Sequence, residues 1–198
     1  STRKDINLGT VFSALEEGAK NSVAVALACA CAGIIIGVIT QTGAAINFTS
    51  VVIDMSKDML ALALVLTMLA GIILGMGMPT TPAYIVMVSL LVPALIKLGV
   101  ATPAAHMFAL YFAVLSAITP PVALASFAAA GMAGADMWRT SMIALKLGLA
   151  TFIVPFMFWL SPSLLAQGPL PEIIQAVATA SLGVVLLACA TEGWMMRA

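Results

Sequence analysis

The chain has 198 residues, of which 63% are hydrophobic and only 8% are charged, and its eight basic and eight acidic residues leave no formal net charge. Soluble domains carry about 25% charged residues, and a mean hydropathy of +1.16 leaves too little polar surface to cover a soluble fold. The Lys and Arg residues are scattered singly, which excludes a basic stripe for nucleic acid. Composition therefore predicts a membrane protein, and the long apolar runs described below predict an all-α fold.

The first 22 residues are predicted to lead into the membrane. Leu8 to Lys20 places apolar and charged residues at helical spacing, which predicts an amphipathic helix along the membrane interface; an ordinary cytosolic connector helix fits nearly as well. The chain starts at Ser1 without a charged-then-apolar leader, so we expect no cleavable signal peptide and a start within a longer polypeptide. Residues 1–22 are interpreted as an interfacial helix or connector.

A first membrane span is predicted from Val23 to Ile39, which is long enough to cross a bilayer together with its flanking residues. Gly33 and Gly37 form a pair of small residues that permits close helix packing. A polar stretch and a short helix are expected next. Residues 23–58 are therefore predicted to be a scaffold-type span with its connector.

Two apolar runs without Asp, Glu, Lys or Arg follow, Met59–Ile96 and Leu98–Ala135. Runs of this length must lie in a bilayer, yet the middle of each contains prolines, which lack the amide donor that a regular helix needs. The breaks are Gly75-Met76-Gly77-Met78-Pro79-Thr80-Thr81-Pro82 and Ser116-Ala117-Ile118-Thr119-Pro120-Pro121. Irregular backbone at membrane depth is tolerated only where it is buried in protein or lines a cavity. Secondary transporters build ion and substrate sites from such interrupted helices.

Residues 59–135 are therefore predicted to be a transport-type region, with a re-entrant hairpin at 59–98 and a broken helix at 104–135. Each arm of the hairpin is short for a full crossing of about 20 residues; two thin spans joined by a loop are the alternative. We expect the helices to restart at Ala83 and Val122.

The C-terminal region, residues 136–198, is predicted to contain further spans. Asp136 is a plausible N-cap for a helix that runs to about Leu160. A loop with Gly and Pro follows, and a final span is expected from Ile173 to Ala190.

The positive-inside rule predicts the orientation of these spans. With the N-terminus in the cytoplasm, six basic residues fall on the cytoplasmic side and two fall outside. The cytoplasmic residues are Arg3, Lys4, Lys20, Arg139, Lys146 and Arg197, and the outer residues are Lys57 and Lys97. Lys146 must then snorkel from within its helix to the interface.

No catalytic set is evident, and we expect no enzyme. The single histidine, His106, has no carboxylate near it in sequence, and the acidic residues lie at run edges or in loops. An intramembrane protease with Ser116 as nucleophile needs a paired base, or an aspartate pair inside the membrane. A structural or interfacial role for His106 is therefore favoured.

Ion binding is the better use of the two breaks. Unwound carbonyls and hydroxyls supply the hard oxygen ligands that sodium prefers without burying a formal charge. The predicted sodium site consists of Gly75, Gly77, Thr80, Thr81, Ser116, Ile118 and Thr119. The restarting helices offer N-terminal dipoles to an anion, and substrate contacts are predicted for Thr80, Thr81 and Ser116. No cofactor is expected besides sodium as the coupling ion.

At these motifs the chain resembles the TRAP (tripartite ATP-independent periplasmic) transporters, and more narrowly the fused permeases of their TAXI branch. The segment from Gly75 to Ile85 is similar to the hairpin motif of the family, and Ser116 to Ala125 is similar to its unwound-helix motif. Residues 14–21 and 148–156 also resemble the family. The resemblance extends from about Phe12 to Leu165.

The resemblance implies a sodium-coupled importer of small organic anions (carboxylates) in the bacterial inner membrane. Such permeases receive substrate from a soluble periplasmic binding protein and move by an elevator-type mechanism, with both breaks in the moving domain. A full permease has two inverted repeats, and this chain shows one hairpin and one broken helix. We therefore expect the C-terminal repeat of a larger permease, with the other repeat, small-subunit helices and the lipid bilayer as partners. A passive channel or pore-lining subunit is the alternative, because broken helices also build filters.

Overall fold

The structure is a computed structural model that describes residues 7–56 and 59–192. Within these ranges it contains α-helices and one short 3-10 helix but no strand, which confirms the all-α prediction. The α-helices are α1 (Leu8–Thr42), α2 (Ala44–Ser56), α3 (Leu60–Gly75), α4 (Thr80–Leu90), α5 (Val92–Lys97), α6 (Thr102–Leu115), α7 (Leu124–Ala133), α8 (Met137–Leu147), α9 (Leu149–Leu160) and α10 (Leu170–Glu192). The 3-10 helix covers Pro162–Leu165. Four basic residues of the orientation argument, Arg3, Lys4, Lys57 and Arg197, lie outside the described residues.

The predicted interfacial helix and first span form one continuous helix, α1, of 35 residues. Its polar first half carries an exposed ion pair between Lys20 and Glu16, one turn apart at 2.6 Å. α1 ends at Gly43, whose φ of 66° is left-handed and whose N–H bonds to Ile39 O, the usual helix stop at glycine. The axis then bends by 74° into α2.

The first charge-free run forms α3, a turn, and then α4 and α5. α4 begins at Thr80, three residues before the predicted Ala83, because Pro82 falls in the first turn, where a missing amide costs no helical hydrogen bond. The segment Thr80–Lys97 is long and apolar enough to cross a membrane. A re-entrant hairpin and two joined spans are both compatible with this length, and re-entry stays a prediction.

The second run forms a helix broken in its middle, as predicted, with α6 before the break and α7 after it. α7 begins at Leu124, two residues beyond the predicted Val122. Asp136 caps α8, since its Oδ1 accepts a hydrogen bond from Arg139 N at 2.7 Å.

The helix predicted to run from Asp136 to Leu160 is instead two helices, α8 and α9, bent by 41°. The bend occurs at Gly148, where an added Cβ would lie 2.8 Å from Ile118 Cδ1. The chain therefore bends where α8 and α9 pass closely over the break between α6 and α7. Glycine is also a weak helix former.

The core lies among α3, α4, α6 and α9. Phe108 and Phe112 are almost fully buried, and each packs against Phe156 of α9 with ring centroids 5.4 and 6.4 Å apart. α10, by contrast, buries none of its apolar residues, leaves most of them exposed, and is long enough to cross a membrane. Of the described helices, two segments pass that test alone and two bent pairs pass it together, as expected for a multi-pass membrane protein.

Candidate functional site

The two breaks meet in the structure. A Cβ built on Gly75, the last residue of α3, would lie 2.5 Å from Ser116 Oγ and 2.8 Å from Ser116 Cβ. Real Cβ atoms essentially never approach other heavy atoms so closely. Both residues are buried. Glycine at position 75 therefore lets the end of α3 rest against the end of α6.

The first break is a tight turn over the second. Met78 N bonds to Gly75 O at 3.3 Å, and Gly77 has a left-handed φ of 77° that a residue with a Cβ resists. A Cβ on Gly77 would lie 3.5 Å from Val122 Cγ1. Both glycines predicted for the ion site thus lie against the second break. Among the residues that the structure describes, no donor bonds to the Gly77 carbonyl.

The second break begins with a tighter, 3-10-like turn and then leaves the helical path at the prolines. The amides of Ala117, Ile118 and Thr119 bond three residues back, and the Pro120–Pro121 peptide is cis. Ala125 N then bonds to Ala117 O at 2.9 Å, so the start of α7 folds back onto the end of α6. The carbonyls of Ser116 and Ala117 are therefore occupied. Among the described residues, no donor bonds to the Ile118 carbonyl, so this carbonyl is available to a ligand.

Two hydroxyls of the predicted site donate to their own helix. Ser116 Oγ donates to Ala113 O at 2.8 Å, and Thr119 Oγ1 donates to Leu115 O at 2.7 Å. Each hydroxyl hydrogen is thereby committed, while the oxygen keeps lone pairs that can bind a cation.

Thr80 and Thr81 begin α4 on the other side of the turn. Thr80 is half-buried and Thr81 is exposed. Within the described part of the chain, neither threonine side chain forms a hydrogen bond, and neither one is bonded to Ser116 or Thr119. The structure thus places Gly75 directly against Ser116 and Gly77 beside Val122, and it leaves the two threonines at the rim of the turn.

Sequence reasoning missed Ser126, in the first turn of α7. Its side chain is 4% exposed, and its hydroxyl has no hydrogen-bond partner among the described residues. The signal in the sequence was a hydroxyl residue closely following the Pro-Pro break.

His106 has a structural contact of the kind that the sequence favoured over catalysis. Tyr84 OH lies 3.0 Å from His106 Nδ1 in a half-buried hydrogen bond that joins α4 to α6. This hydrogen bond links two helices, whereas the hydroxyls of Ser116 and Thr119 bond to backbone carbonyls of α6.

A cavity of about 370 Å³ lies beside the second break, between α6 and the α8–α9 bend. Its walls are almost wholly apolar and include Tyr111, Val114 and Ile118. A hydrophobic wall offers an ion no oxygen ligands, so the ion-binding candidates stay on the Gly75–Ser116 side of the break.

The family model for the tripartite ATP-independent periplasmic transporter, DctM component, matches residues 1–173. The chain belongs to this family. No curated protein and no solved structure gives a significant match. Membership makes the chain a component of a TRAP transporter permease, from a family of transporters rather than enzymes. The family implies a multi-pass protein of the bacterial inner membrane that associates with a periplasmic binding protein and other transporter subunits.

Proposed function

We propose that this chain forms part of a sodium-coupled permease that takes up small carboxylates delivered by a periplasmic substrate-binding protein. We assign it to the TAXI branch, as the C-terminal repeat of a fused permease. The contact between Gly75 and Ser116 carries the proposal, because it brings together the interrupted backbones of two charge-free runs.

Sodium fits this contact by its ligand chemistry. The donors available are neutral oxygens: the lone pairs of Ser116 and Thr119, whose hydrogens are committed, and the carbonyls of Gly77 and Ile118. Hard cations with modest charge bind such oxygens, and no buried carboxylate has to be desolvated. We include Gly75, Thr80 and Thr81 of the opposing turn in this sodium site.

The carboxylate would be bound without a basic side chain from these segments. Neither break contains Arg or Lys, so the negative charge has to be met by hydroxyls and by helix N-termini, whose amides and dipole favour anions. α4 and α7 both begin at the breaks. We assign Thr80, Thr81 and Ser116 as substrate contacts on this basis.

The architecture proposed for the working permease is an elevator with two inverted repeats. This chain supplies one hairpin and one broken helix, and the remaining repeat and the small-subunit helices come from other parts of the permease. The exposed apolar residues of α1 and α10 then face lipid or these neighbours.

The test is uptake of labelled small carboxylates into vesicles that hold the complete permease, with its binding protein added outside. A sodium-coupled permease gives saturable uptake that requires both a sodium gradient and the binding protein. A passive channel, the second candidate because two unwound segments face each other, gives conductance that requires neither. Uptake that is unchanged when sodium is replaced by choline would refute sodium coupling.

A further inference from the structure

We propose that the exposed face of α8 binds the headgroup of an anionic phospholipid. Two basic residues, Arg139 and Lys146, are exposed on this helix, seven residues apart. At 100° per residue they lie 20° from each other around the helix axis, and about 10.5 Å apart along it. Both long side chains can therefore converge on one phosphate.

Apolar residues border this basic pair on both sides. Going around the exposed face, Trp138 and Met142 precede the pair, and Ile143 and Leu147 follow it, each between 45% and 58% exposed. The opposite face carries the fully buried Ser141, and α8 packs on α7, α9 and α10. The exposed face thus has an apolar, basic, apolar cross-section that is not taken up by the rest of the described fold.

This cross-section fits a phospholipid better than water or pure hydrocarbon. Four large apolar side chains are costly to expose to water, and two cations are costly to hold in hydrocarbon. A lipid meets both requirements, because its phosphate can lie between the cations while its acyl chains cover the apolar borders. The aromatic ring of Trp138 suits the headgroup level.

Among the described residues, neither Arg139 nor Lys146 forms an ion pair. Their unpaired positive charges determine which lipid charge is preferred. Within residues 7–56 and 59–192, the ion pair present is the distant one between Lys20 and Glu16. The nearest carboxylate, Asp136, accepts the Arg139 backbone amide as N-cap. Two cations without an ion pair favour an anionic lipid over a zwitterionic one, by about 1 kcal/mol for each cation near the membrane surface. That is about five-fold each, and at most about 25-fold together.

The bend at Gly148 sets α8 apart from the apolar helix that follows it, since the axis of α8 departs from that of α9 by 41°. The inference depends neither on sodium coupling nor on the identity of the substrate.

The experiment measures which lipid lies beside Trp138. The complete permease is placed in vesicles of phosphatidylcholine in which a set fraction is either brominated phosphatidylglycerol or brominated phosphatidylcholine. Bromine quenches tryptophan fluorescence on contact, and the Trp138 signal is the difference between wild type and Trp138→Phe. We expect brominated phosphatidylglycerol to quench Trp138 at a several-fold lower mole fraction. The preference should weaken at high salt, since salt screens exposed charges.

Variants separate charge from packing. The double variant Arg139→Gln/Lys146→Gln should lose the preference, and Arg139→Lys should keep it. Lys97→Gln is the matched control, because it removes an exposed cation from another helix and should leave the preference intact. Equal quenching by the two lipids, a preference that survives in the double variant, or a Trp138 that neither lipid quenches because protein covers this face would each overturn the proposal.

Discussion

Gly75 and Ser116 lie in such close contact that a methyl group on Gly75 would overlap Ser116 Oγ at 2.5 Å. Gly75 is the last residue of α3 and Ser116 is the C-cap of α6, and these two helices precede the two breaks. The two breaks are far apart in the sequence, and this contact joins them at one buried junction. Any motion that parts the breaks has to separate this pair.

Gly75→Ala is expected to impair the junction. Ser116 is a short side chain that cannot move its Cβ away, so the added methyl forces the helices apart at a cost of about 1–3 kcal/mol. We expect a lower thermal midpoint in detergent and reduced uptake. The control is Gly131→Ala on α7, where a Cβ meets nothing within 4 Å and alanine is the better helix former. Normal stability and uptake in Gly75→Ala would show that the junction loosens without consequence.

The orientation of the chain can be tested by accessibility. We predict that Lys97 and Gln167 face the outside and that Arg139 faces the cytoplasm, as does Arg197, which lies outside the described residues. Single cysteines at these positions, in a background without Cys29, Cys31 and Cys189, are exposed to a membrane-impermeant thiol reagent in intact cells. Labelling at positions 97 and 167 but not at 139 is expected. Labelling at 139 from outside would reverse the topology.

The Tyr84–His106 hydrogen bond is expected to hold α4 against α6. Tyr84→Phe removes the hydroxyl that lies 3.0 Å from Nδ1 and leaves the half-buried imidazole without this partner. A lost hydrogen bond of this kind costs about 0.5–1.5 kcal/mol, measurable as a lower thermal midpoint. His106→Ala should lower it as well, and the double variant should lower it by less than the sum of the two single changes. Additive effects would show that the two side chains do not interact.

The sequence predicted the parts of the fold that follow from hydrophobicity and from proline. The broken helix at Ser116–Pro121 and the cap at Asp136 were both predictable, because proline removes amide donors and aspartate accepts them locally. The bend at Gly148 was not predictable, since it lies where Gly148 packs closely against Ile118 from a different segment. For the same reason the sequence could propose that both breaks hold an ion but could not show that Gly75 meets Ser116. Ser126 was missed because its burial depends on how α7 packs.

The close contact between Gly148 and Ile118 should make the stability of the fold sensitive to a side chain at position 148. Gly148→Ala places a Cβ 2.8 Å from Ile118 Cδ1. This atom is the far end of a flexible side chain, so we expect a smaller loss of stability than for Gly75→Ala. Ile118→Val removes Cδ1 and should restore most of the lost stability in the double variant, as measured by thermal unfolding. If Ile118→Val gives no recovery, the strain in Gly148→Ala comes instead from the Ala144 carbonyl, 3.2 Å away.

Thr119→Val tests the proposed sodium ligands. Valine keeps the shape of threonine but removes the hydroxyl oxygen, so a sodium ion in a dry site would lack one ligand. If this resembles an unmet buried polar group, the cost is about 1–3 kcal/mol, or roughly 5- to 150-fold weaker sodium affinity. The measurement is uptake against sodium concentration in the complete permease with its binding protein. We expect the curve to shift to higher sodium at normal expression.

The matched control for that experiment is Thr179→Val on α10. Thr179 also donates its hydroxyl hydrogen to a carbonyl one turn back, Gln175 O at 2.9 Å, but it is exposed and far along the chain from either break. It therefore reports the cost of losing the local hydrogen bond alone, and its sodium curve should match that of the wild type. Unchanged curves for Thr119→Val, Thr80→Val and Thr81→Val would exclude these side chains as ligands. The carbonyls of Gly77 and Ile118 would then have to coordinate the ion without them.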